Sequence, residues 1–197
     1  MVAPNTQDYW HLNFNSGDQL YFLTGENGAT NQNLITSSAV FRDTSAWYHF
    51  VYTFDFGNAT TSERIRFYVN GERITMSGTI AAQGYTGTRF NRASYEHRIG
   101  SRQDANSFSN IYLADIHFID GQALTPSSFG ETDATTGVWN PKAYTGTYGT
   151  NGFHLEFADN SAATATTLGK DTSGISPANN WTPVNLSTTT GGPTSVA

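Results

Sequence analysis

The run Ile111-Tyr112-Leu113-Ala114-Asp115-Ile116-His117-Phe118-Ile119-Asp120-Gly121-Gln122-Ala123-Leu124-Thr125-Pro126 constrains the fold more than any other stretch of the chain. It predicts a strand that passes straight into an Asp-Gly turn and then into a Thr-capped helical turn with Pro at its first position. Odd positions share one face and Tyr112, Ala114, Ile116 and Phe118 the other. Both faces are largely apolar, which predicts a strand buried inside stacked sheets and not at an edge. Alternating segments recur elsewhere: Tyr9–Phe14, Gln19–Leu23, Trp47–Asp55, Ile65–Val69 and Gly152–Phe157, with shorter candidates at Leu34–Ile35, Ala39–Phe41, Glu72–Met76 and Tyr95–Gly100. Asn70-Gly71, set between two such segments, is a type I′ hairpin signal. No long segment carries the helical period. The expected class is all-β, with two stacked antiparallel sheets.

Composition narrows the function classes. The 197 residues suit one ordinary domain with a real core. Aromatics at 14% favour strands, and charged residues at 13% are about half the usual share, leaving Gly, Thr, Ser and Asn to supply polar turns. The net charge is −6, and the ten basic residues are scattered. Without a basic stripe, neither nucleic acid nor an anionic membrane surface is an expected partner. No apolar run approaches the length of a membrane span, so no membrane insertion is expected. The absence of Cys excludes disulfides, thiolate metal sites and Cys nucleophiles, and leans towards a prokaryotic or viral source. The N-terminus lacks the pattern of a signal peptide, and a strand begins almost at once. The expectation is a domain of something longer, or a small structural subunit. Residues 1–160 read as the sandwich and residues 161–197 as a Thr/Ser/Gly-rich C-terminal extension or linker.

Several motifs, in order, carry a resemblance. Trp47-Tyr48-His49-Phe50-Val51 followed by Ile65-Arg66-Phe67-Tyr68-Val69-Asn70-Gly71 resembles the laminin-G-like, concanavalin A-like lectin/glucanase superfamily. His97-Arg98-Ile99-Gly100, Ala114-Asp115-Ile116-His117-Phe118 and Gln122-Ala123-Leu124-Thr125-Pro126 resemble later strands of that family. The resemblance spans roughly residues 8–130 and implies a jelly-roll sandwich. A narrower resemblance, to a subgroup common in tailed-phage virion proteins, runs through Phe118–Glu131. It continues in Gly137-Val138-Trp139-Asn140-Pro141-Lys142, Tyr148–Leu155, Leu168–Gly174 and Asn179-Asn180-Trp181-Thr182. Ile175-Ser176-Pro177-Ala178 departs from it, where the family has Gly-Asn-Gly. This likeness implies a tail-fibre or capsid-decoration protein on the virion surface. Its expected partners are a host-surface glycan or other virion proteins, with homo-oligomers in the particle.

The superfamily contains glucanases, whose chemistry needs two carboxylates facing each other across the sugar. The family pattern is Glu-x-Asp-x-Glu on one strand. The nearest approach is Glu131-Thr132-Asp133, which fails it, so no enzyme is expected; a glucanase-like hydrolase and a standalone carbohydrate-binding module are the alternatives. Superfamily members often hold calcium through carboxylates, an Asn and backbone oxygens. That resemblance makes Asp104, Asn106, Asp115 and Asp120 metal candidates. Without a dense Asp ladder, the plainer reading is favoured: Asp120 makes the Asp-Gly turn, Asp104 and Asn106 form a polar loop, and no cofactor is required. His11, His49, His97, His117 and His154 stand at isolated positions and read as packed residues. Sugars stack on flat rings, so Trp139, Tyr144, Tyr148 and Tyr85, all in expected loops, are carbohydrate-binding candidates. The alternative for Trp139 is a plug at the end of the sandwich or a subunit contact.

Overall fold

The computed structural model describes residues 9–25, 32–87, 90–92, 95–101, 108–186 and 188. The chain divides into two compact units. One comprises Met1–Tyr95 with Ala123–Tyr144, the other Glu96–Gln122 with Thr145–Ala197.

In the first unit, β1 (Tyr9–Phe14), β2 (Gln19–Gly25) and β3 (Asn33–Val40) form an antiparallel meander. β4 (Phe50–Phe54), β5 (Ile65–Val69) and β6 (Glu72–Arg73) form a second one. The Asn70-Gly71 turn has φ of 48° and 85°, both positive, as a type I′ hairpin requires. After Arg73 the chain leaves its sheet, and β7 (Met76–Thr79) pairs with β3 on the edge of the other one. The expected return strand Glu72–Met76 is thus split between two sheets. Alternation places Phe22 and Ile35 on the inner face of one sheet, and Ile65 and Phe67 on the inner face of the other. Phe22 meets Phe54 at 5.0 Å and Phe67 at 6.0 Å between ring centroids, so the two layers share one aromatic core. Each such buried ring contributes about 2–3 kcal/mol of burial free energy.

Among the described residues, Arg66 Nε is buried without a hydrogen-bond partner, but other polar groups of this interior are paired, as burial demands. Asn33 Nδ2 donates to Thr24 Oγ1 at 2.9 Å, and Ala81 N donates to Asn33 Oδ1 at 2.9 Å. The register of β2 on β3 shifts between Gln19 and Tyr21, and there the Ser37 hydroxyl accepts from Leu20 N and donates to Ala39 O. Arg64, in the single helical turn α1 (Thr61–Arg64), is 7% exposed and donates to the carbonyls of Asn58, Ala59 and Ala81. The short ribbon β9 (Gly130–Thr132) and β10 (Trp139–Pro141) completes the unit, after the Pro-initiated 3₁₀ turn Pro126–Ser128 that the sequence predicts.

The second unit is built differently. β8 (Ile116–Phe118) pairs antiparallel with β11 (Phe153–Leu155), three residues each. The long buried strand expected over Ile111–Phe118 is therefore a correction. Ile111, Tyr112 and Leu113 are exposed, and Asp115 turns the backbone with φ of 54° just before β8. Apolar alternation describes a strand's faces but cannot supply the neighbour that would cover them. Tyr95–Gly100 likewise forms no strand; Ser101 makes an isolated bridge to Phe108. In the first unit, β4 starts only at Phe50, and Trp47, expected within that strand, is 58% exposed ahead of it.

Residues 162–183 fold against β11. Leu168 is buried with Leu155, Trp181 packs on Phe153 at 4.9 Å, and Trp181 N donates to Gly169 O. The Ser176–Pro177 peptide, within the departure noted in the sequence, is cis. Among the described residues, no helix is long and apolar enough to cross a membrane.

Candidate functional site

The register of β8 on β11 sets His117 directly opposite His154. Facing residues of an antiparallel pair project to the same side. Their rings stack 4.1 Å apart at 11°. Asp115 lies two residues before His117, and its left-handed backbone, which Asp tolerates better than most residues, accompanies a carboxylate set at the Nε2 edge of both rings. One oxygen, Asp115 Oδ1, is 2.6 Å from His154 Nε2 and 3.4 Å from His117 Nε2. The far nitrogens are also held: His117 Nδ1 lies 2.8 Å from the Tyr148 hydroxyl and His154 Nδ1 3.0 Å from Thr172 Oγ1. The imidazoles are nearly covered, with 11% and 13% of their side chains exposed, whereas Asp115 is half exposed. The hydrogen bond to His117 first, and that to His154, hold the Asp115 carboxyl well below the usual carboxylate range, against the opposing effect of partial burial.

A second carboxylate anchors this face from behind. Asp171 accepts from the backbone N–H groups of His154, Ser173 and Asn179 at 2.8–2.9 Å, and its own N–H donates to Asn180 Oδ1. Burial pushes its carboxyl up, but these three donors outweigh burial and leave it below the ordinary value. A shallow depression lined by Glu156, Asp159, Thr167, Lys170 and Thr172 adjoins His154 through Thr172 and Glu156.

The metal candidates read from sequence divide. Among the described residues, Asp115, His117 and His154 are the group whose ligand atoms converge, all within 4.8 Å of one another. Asp120 is not in it: its carboxylate accepts from Asn151 N, and its backbone packs against Gly149. Asp104 and Asn106 lie outside the described residues. The two histidines that complete the group are ones the sequence reads as merely packed. They are 37 residues apart, and only the pairing of β8 with β11 reveals them as partners.

Each of the four candidate sugar platforms packs on neighbours within its own unit. Tyr148, in the second unit, is buried at 8% exposure with its ring along His117, so it offers no open face. In the first unit, Tyr144 is half-buried on Phe129, and Tyr85 sets its edge on Phe56 and its hydroxyl 3.3 Å from Thr24 Oγ1. Trp139 fills a slot. A Cβ at Gly71 would stand 2.4 Å from its ring, and one at Gly130 2.5 Å, so only glycine fits at either place. Its Nε1 donates to His49 Nδ1 at 2.9 Å, which ties β10 to the start of β4 and to the Asn70-Gly71 hairpin. More open rings occur instead at Trp47 in the first unit and at Phe108 and Tyr112 in the second, each more than half exposed.

The carboxylates nearest to a glucanase pattern have structural partners. Glu131 lies 3.6 Å from Lys142 Nζ, and Asp133 accepts from Thr136 and Thr135 in its own turn, which lowers its carboxyl below the ordinary value.

Comparison with known proteins gives one match. The family model Laminin_G_3, described as the concanavalin A-like lectin/glucanases superfamily, matches residues 1–129. No curated protein and no solved structure matches the chain.

Proposed function

The chain belongs to the concanavalin A-like lectin/glucanases superfamily, and on that premise we propose that it is a non-catalytic surface module of a tailed-phage virion that binds host glycans. The sandwich is a scaffold of a superfamily that contains lectins, and β-sandwich modules carry binding residues on the segments between strands. The observation that carries the reading is Trp47. An indole 58% exposed ahead of β4 is the kind of flat platform on which a sugar ring stacks. The likeness of residues 118–182 to virion proteins supports a tail-fibre or capsid-decoration setting, in which homo-oligomers multiply weak glycan contacts.

The non-catalytic part of the proposal rests on the carboxylates. A glycosidase acid needs a raised pKa, whereas Asp133 is lowered by the donors of its own turn and Glu131 is paired with Lys142.

A glycan array on the whole chain tests the reading. Binding that Trp47→Ala abolishes, with the fold intact by circular dichroism, supports it. Absence of glycan binding together with stable oligomers by light scattering rejects adhesion in favour of assembly contacts. Sugar release from any bound glycan rejects the non-catalytic assignment.

A further inference from the structure

We propose that Asp115, His117 and His154 form a binding site for a divalent transition-metal ion of the zinc type, with its remaining position open to solvent. The inference is independent of glycan binding. Two imidazole nitrogens and one carboxylate oxygen are a donor set that borderline ions accept, whereas calcium takes oxygen ligands almost throughout. The three ligand atoms already lie within 4.8 Å of one another. Bonds of about 2.0–2.1 Å in tetrahedral geometry place ligand atoms about 3.3 Å apart. The observed contacts of 2.6 and 3.4 Å to Asp115 Oδ1 bracket that value.

The orientation of the rings argues the same way. Ligating histidines usually have the second ring nitrogen fixed by an outer partner. Here the Tyr148 hydroxyl holds Nδ1 of His117 and the Thr172 hydroxyl holds Nδ1 of His154, so both Nε2 atoms turn towards Asp115. The rings are 11° from parallel. Binding therefore requires them to splay until both lone pairs meet the ion, with half-exposed Asp115 moving to make room. The polypeptide has no thiol to compete for the metal. The ion would cross-link β8 to β11, two strands of only three residues each, so its binding free energy would add directly to the stability of this unit.

The test uses the full chain, stripped with a chelator. Titration with zinc chloride in a calorimeter is expected to give one ion per chain and to raise the melting temperature, while calcium chloride at the same concentration gives neither. Cobalt(II) in place of zinc is expected to show the visible absorption of a nitrogen- and oxygen-ligated ion. His117→Gln and His154→Gln should each weaken zinc binding at least about tenfold, since loss of an outer partner alone costs that much. Should either variant lose its fold, Asp115→Asn decides, because Asn keeps the shape and tolerates the left-handed backbone. No heat and no thermal shift with zinc, a calcium response equal to that of zinc, or an Asp115→Asn affinity equal to wild type would each overturn the site.

Discussion

The two units of this chain hold themselves together by opposite means. The first stacks two antiparallel sheets, and its interior is a continuous set of rings: Trp10 meets Phe22 and Phe54, which meet each other and Phe67. Among the described residues the second has two three-residue strands, and charged and polar hubs add to its apolar packing. Asp171 ties three backbone donors, Asp115 bridges two histidines, and Asn179 Nδ2 reaches Gly152 O. Apolar burial is additive and tolerant of chemistry, whereas a hub depends on every donor and on the charge at its centre. The same polypeptide should therefore answer volume changes in one unit and charge changes in the other.

Removing a core ring is the strongest test. Phe67 is fully buried between the sheets. Phe67→Ala is expected to cost about 3–5 kcal/mol in urea denaturation; a loss near the surface norm would mean that the sheets do not share one core. Next comes the hub. Asp171→Ala leaves three backbone N–H groups without their acceptor and is expected to cost about 3 kcal/mol. Hydrogen exchange should show the loss at His154, Ser173 and Asn179 while β2 and β5 keep their protection. Equal loss in both units would break the contrast. Trp139→Phe keeps a ring in the glycine slot but removes the Nε1 bond to His49, and about 1 kcal/mol should be lost.

The smallest effects are those of pH, and they should fall at opposite ends of the scale. Burial raises the phenol of Tyr52 in the first unit above its ordinary range. The neutral form is the one the fold favours, so this contribution is complete below the unfolded phenol value of about 10 and is lost as pH rises beyond it. Tyr52→Phe should flatten the alkaline limb of stability against pH. Asp171 is depressed. Its contribution is complete above the unfolded carboxyl value of about 4 and is lost as pH falls through the folded value. Asp171→Asn should flatten the acid limb. Melting temperatures across pH, read for wild type and both variants, check the pair.

What could be read in the residues follows from range. The Asn70-Gly71 turn was legible because its two positive φ angles are a local matter that Asn and Gly satisfy without help. β2 and β4 were legible because their alternation gives each one buried face. Ile111–Leu113 misled because apolar alternation looks the same with or without a covering strand, and here that cover is absent from the exposed side chains. His117 and His154 were invisible as partners because a register across 37 residues is not a property of either segment. Asp171 sits in a Lys-Asp-Thr-Ser-Gly turn that composition cannot distinguish from any other, although it gathers three backbone donors.

The slot that Trp139 fills has a practical meaning for anyone who cuts or grafts this chain. The family match stops at residue 129, ten positions before that indole. A fragment ended there would carry the Asn70-Gly71 hairpin with an empty greasy notch beneath it, and would have β8 without β11. Expression plasmids trimmed to the family boundary should yield aggregating protein, whereas those running past Trp181 should not. Transfer of this module between host proteins by recombination would succeed only with breakpoints beyond that second tryptophan.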